Sequence, residues 1–185
     1  MISSRSSGLP DILEGGLDIV FVGINPGTFS ALKGHYYARP ANLFWTLLYE
    51  SGLLRQPLKP EDDWKLIRFK MGLTDVVNRA TDSSGDLSQE ELRKGSEILL
   101  KKIKIYRPRV VCFNGLTGYR ALFGPAEGPG PKEALIGESR VFVVPSTSRR
   151  NAFYSREEVL RWFRRLKDFV DGKGQGPEVG DRKYE

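Results

Sequence analysis

The stretch Ile19-Val20-Phe21-Val22-Gly23-Ile24-Asn25-Pro26-Gly27 decides the fold. Its opening apolar run is continuous rather than alternating, which suits a strand buried on both faces of a parallel sheet. The first strand is therefore expected over residues 17–23. It stops abruptly at Gly-Ile-Asn-Pro-Gly. Pro26 lacks a backbone donor, and the two glycines allow backbone geometry and close approach denied to other residues. Asn25 is thereby presented at the end of a strand, where α/β sheets usually place ligands. A bare Asn-Pro-Gly is also an ordinary strand-to-loop turn. The residues that follow weigh against so plain a reading. Lys33-Gly34-His35-Tyr36-Tyr37 packs the only histidine and two aromatics into one loop, and Pro40-Ala41-Asn42-Leu43-Phe44-Trp45 opens an amphipathic segment.

Outward from this stretch, residues 24–41 read as a long loop, and long structured loops tend to be functional. Asn42 is the expected N-cap of a helix whose stripe carries Leu43, Phe44, Leu47 and Leu48, with Gly52 as its stop. A short helix is expected over residues 64–69, capped by Asp62 or Asp63, and a short extended segment over residues 71–77. A polar loop with Asn78-Arg79-Ala80-Thr81 follows. Ser88-Gln89-Glu90-Glu91 is a capping box before a long helix to about residue 106, with Leu92, Leu99, Ile103 and Tyr106 on its apolar side. Arg109-Val110-Val111-Cys112-Phe113 reads as a second buried strand ending at Asn114-Gly115, followed by a short helix over residues 119–123. Residues 124–133, with three prolines and three glycines, read as a loop. Arg140-Val141-Phe142-Val143-Val144 is a third strand. Ser155-Arg156-Glu157-Glu158 caps a last helix that turns Val159, Leu160, Trp162, Phe163, Leu166, Phe169 and Val170 inward. Buried strands alternating with amphipathic helices give a three-layer α/β/α fold with a mainly parallel central sheet. The expected organisation is a frayed segment 1–10, one domain over 11–171 and a glycine-rich mobile tail over 172–185.

Composition bounds the chemistry. The chain has 185 residues, 39% hydrophobic and 28% charged, which fits one soluble globular domain with a real core. The apolar runs are too short to span a membrane, and the first ten residues lack the apolar region of a secretory signal. One cysteine, Cys112, cannot form an internal disulfide and reads as a buried small hydrophobe, in keeping with an intracellular setting. One cysteine and one histidine also exclude a four-cysteine iron–sulfur cluster and a zinc site built from several His and Cys within the chain. No Asp/Glu cluster points to a carboxylate Mg²⁺ site. A net charge of +6 and a pI near 9.5 favour a polyanionic partner.

In a parallel sheet the loops Asn25-Pro26-Gly27, Asn114-Gly115 and Pro145-Ser146-Thr147-Ser148-Arg149-Arg150 share one edge. The last is rich in hydroxyls, ends in two arginines before Asn151 and Phe153, and leads to a helix start. Hydroxyls, backbone amides and guanidinium groups suit phosphates. An arginine pair at a helix entrance can equally be a solvated surface feature.

These residues resemble the mismatch-specific uracil-DNA and thymine-DNA glycosylases of the uracil-DNA glycosylase superfamily. The likeness lies in Gly23-Ile24-Asn25-Pro26-Gly27, in Lys33 to Tyr37 and Pro40 to Trp45, and in Pro145 to Arg150 as the second motif. It runs over residues 18–167 and includes Gly72-Leu73-Thr74-Asp75 and Val111-Cys112-Phe113-Asn114-Gly115. Two separated motifs in order make it specific. It implies a cofactor-free, monofunctional, monomeric enzyme acting on double-stranded DNA with a G:U or G:T mismatch, away from membranes. It would work in the bacterial cytoplasm or the eukaryotic nucleus. Uracil, or thymine or another modified pyrimidine, would be flipped out and its N-glycosidic bond hydrolysed, leaving an abasic site that initiates base excision repair.

By the same resemblance Asn25 holds the attacking water, and Gly23 and Ile24 line the base pocket with Asn42. Tyr37 stacks on the flipped base, His35 reaches the base or a phosphate, and Ser30 lies near the base's 5-substituent. Lys33, Asn114, Gly115, Ser146, Ser148 and Arg149 face the DNA, with the two serines on the flanking phosphates, and Arg150 fills the gap in the stack. Two positions depart from the family. Asp75 stands where relatives carry an amide or a lysine. As an ionised carboxylate it would accept from N3–H of uracil or thymine, or help activate water; it could also simply cap a turn. Leu116 stands where relatives carry a lysine, so one phosphate contact would be missing. The sequence also leaves open a non-catalytic DNA-binding module on the same fold, and a nucleotide-handling enzyme acting on small molecules.

Overall fold

The computed structural model describes residues 8–150 and 153–173. Asn151 and nearly all of the expected tail lie outside these residues. The elements in chain order are β1 (Ile19–Gly23), α1 (Thr28–Lys33), α2 (Phe44–Glu50), a 3-10 segment (Pro60–Phe69), β2 (Met71–Asp75) and a short 3-10 turn (Ser84–Asp86). Then come α3 (Gln89–Tyr106), β3 (Val110–Asn114), α4 (Leu116–Phe123), β4 (Gly130–Ile136), β5 (Ser139–Val144) and α5 (Arg156–Val170). The sheet order is β2-β1-β3-β5-β4, with β4 antiparallel to β5 and every other pairing parallel. This is the expected three-layer α/β architecture.

Strand alternation sorts the apolar residues into two cores. Ile19 and Phe21, Val110 and Cys112, and Phe142 and Val144 face the layer made by α2, α5 and the 3-10 segment. Val20 and Val22, Val111 and Phe113, and Val141 and Val143 face α3 and α4. Because both faces are covered, these strands carry no polar alternation. Phe21 is wholly buried, packed edge-on to Phe44 at 5.2 Å and stacked with Phe163 at 6.4 Å. Burying one such side chain stabilises the fold by about 1.5–3 kcal/mol.

Both expected capping boxes are present, with Ser88 and Ser155 accepting from the amides of Glu91 and Glu158 while those carboxylates return to the serine amides. Five local expectations need correction. Residues 24–41 are not all loop, since α1 occupies six of them. The Asn42 side chain accepts from the Phe44 amide, but the capping position is Leu43, so Asn42 lies one residue ahead of the cap. The 3-10 segment starts at Pro60, and buried Asp63 reaches the Tyr36 amide instead of serving as its cap. The proline- and glycine-rich loop contains β4, an edge strand, which is where a sheet tolerates proline. Leu9 is buried in the first core, so the ordered chain begins before residue 11.

Candidate active site

The parallel register places the ends of four strands in one row. Gly23 pairs with Asp75, and Asn114 pairs with Val144, while Val22 and Phe113 bring the two halves together. From β1 the chain goes to β2 on one side and then to β3 on the other. The crevice that opens at such a reversal is the usual ligand position of an α/β sheet. Asn25-Pro26-Gly27 lies over it.

The loop after β1 is sewn to the loop after β2. Val76 and Val77 donate to the carbonyls of Gly23 and Ile24, Thr81 donates to Pro26, and Thr28 donates back to Thr81. Gly27 and Thr81 form an isolated parallel bridge. This seam fixes Asn25. Its Nδ2 donates to Thr81 Oγ1 at 2.7 Å and to the Arg79 carbonyl at 2.9 Å, with a longer contact to Pro26 O at 3.3 Å. Thr81 is itself buried and donates to Ser83 O at 2.7 Å. With the amide nitrogen so committed, the carbonyl oxygen is the end of Asn25 left to accept from a ligand. Arg79 is held in turn by Glu91 and by the Asp86 carbonyl. Neither Thr81 nor Arg79 stands out in the sequence. Their polar loop carries no local sign that it pairs with residues more than fifty positions earlier.

Asp75 occupies the next place in the row. It is buried, and its Oδ2 has no hydrogen-bond partner. Burial pushes its pKa up to about 8; Asp11 adds to the rise and Lys102 opposes it. Near neutral pH this burial favours the neutral acid over the ionised carboxylate. A β-carbon on Gly23 would sit 2.3 Å from Asp75 Oδ1 and 3.3 Å from the Tyr37 hydroxyl, so glycine is required here for space.

Tyr37 adopts φ 53°, in the left-handed region, a conformation that costs a bulky residue about 1–2 kcal/mol and tends to cluster at functional sites. One face of its ring stacks on Phe44, with 4.0 Å between centroids. Burial, then the nearby Asp75, push its phenol far above the ordinary value; Asn114 acts in the opposite direction without reaching good hydrogen-bond geometry. Ser30 is buried, and its hydroxyl accepts from the Ala38 amide at 3.1 Å. His35 does not stand alone in its loop, since its Nδ1 faces Asp63 Oδ2 at 3.3 Å. The Tyr36 and Trp64 amides hold that carboxylate at 3.0 and 2.8 Å.

On the other side of the crevice, Asn114 gives both ends of its amide to Thr147, donating to Oγ1 at 2.9 Å and accepting from the backbone at 3.0 Å. It braces the loop after β5. Gly115 turns with φ 102° against Ser146, a conformation that favours glycine. Ser146 Oγ accepts from the Ser148 amide and Ser148 Oγ from the Arg150 amide, each at 3.3 Å. The Ser148 hydroxyl, accepting in this way, still has a proton to donate. Arg149 and Arg150 are exposed, and Arg150 Nη1 reaches across the crevice to the Asp82 carbonyl at 2.7 Å. The structure thus gathers Asn25, Gly23, Ile24, Tyr37 and Asp75 on one side and Asn114, Gly115, Ser146, Ser148 and Arg150 on the other. Asn42 and His35 lie in the connecting loop and Lys33 on exposed α1.

Comparison with solved structures finds a candidate uracil DNA glycosylase from Methanosarcina acetivorans, determined in solution by NMR. It matches with a TM-score of 0.57 and 24% identity, over 88% of this chain and 98% of that one, a likeness of fold. The family description "Uracil DNA glycosylase superfamily" matches residues 10–167. That span takes in the whole row of strand ends and both polar loops, and the chain therefore belongs to the uracil DNA glycosylase superfamily.

Proposed function

We propose that the protein is a monofunctional glycosylase that turns uracil out of a G:U-mismatched duplex and hydrolyses its N-glycosidic bond, leaving an abasic site. Thymine and other modified pyrimidines are further candidate bases. The observation that carries the reading is Asn25, whose amide nitrogen is anchored by Thr81 and Arg79 so that its carbonyl oxygen is left to orient water. An amide is a poor base. It suffices when the glycosidic bond breaks first, because the resulting sugar cation is attacked even by a weak nucleophile. What remains is electrostatic: donors for the departing base and phosphates near the cation. Among the described residues no lysine is buried, so none stands ready in the row to form a Schiff base with the sugar.

Tyr37 supplies a ring for the extruded base on the face not covered by Phe44. Asp75 reads the Watson–Crick edge as a neutral acid. Such a group donates from one oxygen and accepts at the other, so it can match the N3–H and a carbonyl of uracil together. Ser146, Ser148 and Arg149 take the flanking phosphates. The test is incubation with duplexes carrying single defined lesions, scoring strand breakage after alkali. Release of uracil opposite guanine is expected, and a chain that binds these duplexes without generating abasic sites would be a DNA-binding module instead.

Arg150 is assigned to the gap left in the stack. Arg150→Ala should lower uracil release from a duplex more than from a single strand, which has no stack to fill. Equal losses on both substrates would reduce Arg150 to a source of charge. The salt dependence offers a second reading, since each lost phosphate contact flattens the log–log slope by about one unit.

A further inference from the structure

Beside Lys33, expected from the resemblance to face DNA, α1 carries residues to which no role has been given. Leu32 is 88% exposed, the most open aliphatic side chain among the described large hydrophobics. Beside it Phe29 lies under two cations, with Lys33 Nζ and the Arg39 guanidinium each 5.8 Å from its ring centroid. Among the described residues neither cation is paired with a carboxylate. Asp63 faces His35, and Asp82 takes the Thr28 hydroxyl. A lone exposed leucine needs no explanation. This one belongs to a patch with unspent positive charge.

Its position adds a second argument. Thr28 and Leu32 are four residues apart and so share one face of α1. Thr28 contacts Asp82, and the carbonyl of Asp82 holds Arg150. Thr28, one helical turn from Leu32, thus links α1 through Asp82 to Arg150.

We infer that Phe29, Leu32, Lys33 and Arg39 form a docking surface for the duplex arm flanking the flipped nucleotide. Lys33 and Arg39 neutralise phosphates on that arm, and Leu32 makes apolar contact with the sugar and base edges of its groove. The partner is a polyanion because the patch offers cations without counter-ions. It is a duplex because the patch lies on α1 and just after it, and on none of the strand-end loops assigned to the extruded nucleotide. This rests on the DNA-repair reading above and adds a surface to it.

The test compares wild type, Leu32→Ser and the Lys33→Ala/Arg39→Ala double variant by two measurements. Binding is measured on a duplex with a stable abasic analogue, which requires no chemistry, across a range of salt. Uracil release is measured on duplex and single strand. Leu32→Ser should lower the duplex rate at least about tenfold more than the single-strand rate, the lower end of what burying one leucine side chain contributes. The double variant should flatten the log–log salt slope by about two units, one for each phosphate contact. A Leu32→Ser variant with an unchanged duplex-to-single-strand ratio, or a double variant with an unchanged slope, overturns the surface. If wild type releases no uracil yet the binding data behave as described, the base-release reading fails and the surface stands. Leu32 is almost fully exposed, so a melting curve identical to wild type is expected and separates these effects from misfolding.

Discussion

Asn25→Ala is expected to lower uracil release by at least about 10²-fold, the lower range for one catalytic polar group, while leaving duplex affinity nearly unchanged. The asymmetry follows from the geometry. Asn25 is anchored by Thr81 and the Arg79 carbonyl and stands on a different loop from the one proposed to take the phosphates. Removing its amide deletes the acceptor for water without touching Ser146, Ser148 or Arg149. Thr81→Val gives a graded control. It keeps the shape and removes the 2.7 Å acceptor of the Asn25 amide, so the carbonyl oxygen loses its fixed aim. The turnover number should fall by a smaller factor than in Asn25→Ala, with substrate affinity held. Single-turnover rates and duplex binding for both variants check this. Full uracil release by Asn25→Ala would remove Asn25 from the chemistry, and a Thr81→Val loss appearing in affinity alone would remove Thr81 from its positioning role.

Asp75→Asn has the other large expected effect, and it should be read in stability and in specificity. A carboxyl whose pKa is raised to about 8 holds its proton in the folded state after the unfolded chain has released it. Folding stability therefore declines as pH rises from the ordinary carboxylate range to about 8, and levels off above it. Asparagine has no proton to lose. The variant should match wild type near pH 4 and melt several degrees higher near pH 8, since each kcal/mol moves the midpoint by about 2–4 °C in a domain of this size.

Specificity should move with the same proton. The neutral acid pairs with the N3–H and carbonyl of uracil, and equally with the N3 and amino group of a cytosine-type base. The carboxylate only accepts and meets cytosine N3 as a second acceptor. In wild type, preference for uracil over a 5-substituted cytosine should sharpen as pH passes 8. In Asp75→Asn it should be flat with pH, close to wild type near pH 7 and more tolerant of cytosine-derived bases than wild type only above about pH 8. A uniform drop on every substrate would instead assign Asp75 to water activation. A changed melting profile with unchanged rates would leave it a stability role alone.

What the sequence disclosed depended on how local each cause is. The strands β1, β3 and β5 are written as apolar runs because both sheet faces are covered. The caps of α3 and α5 are written in four consecutive residues each. From these the row of strand ends, and with it the meeting of Asn25 with the Asn114 and Ser146 loops, could be expected. Helix α1 was not legible because it is short and buries only Ser30, so it shows no apolar period. Strand β4 was hidden because an edge position tolerates the prolines and glycines that ordinarily mark loops. The anchoring of Asn25 by Thr81 was hidden for a different reason. It is a contact between two loops far apart in sequence, each polar for its own local reasons. The upward push on the Asp75 pKa comes first from burial, then from Asp11, and neither the depth of a side chain nor a neighbour 64 positions earlier is marked in the local sequence.

The space in front of Gly23 ties two positions into one unit of inheritance. A methyl group there would overlap Asp75 Oδ1. Gly23→Ala should thus be harmful beside Asp75 and far less so once residue 75 is reduced to serine or alanine, so the sign and size of one mutation depend on the other. A lineage carrying an acid at residue 75 can explore other residues at 23 only after surrendering that acid. The order in which this pocket could be remodelled, by descent or by directed evolution, is set by a single missing β-carbon.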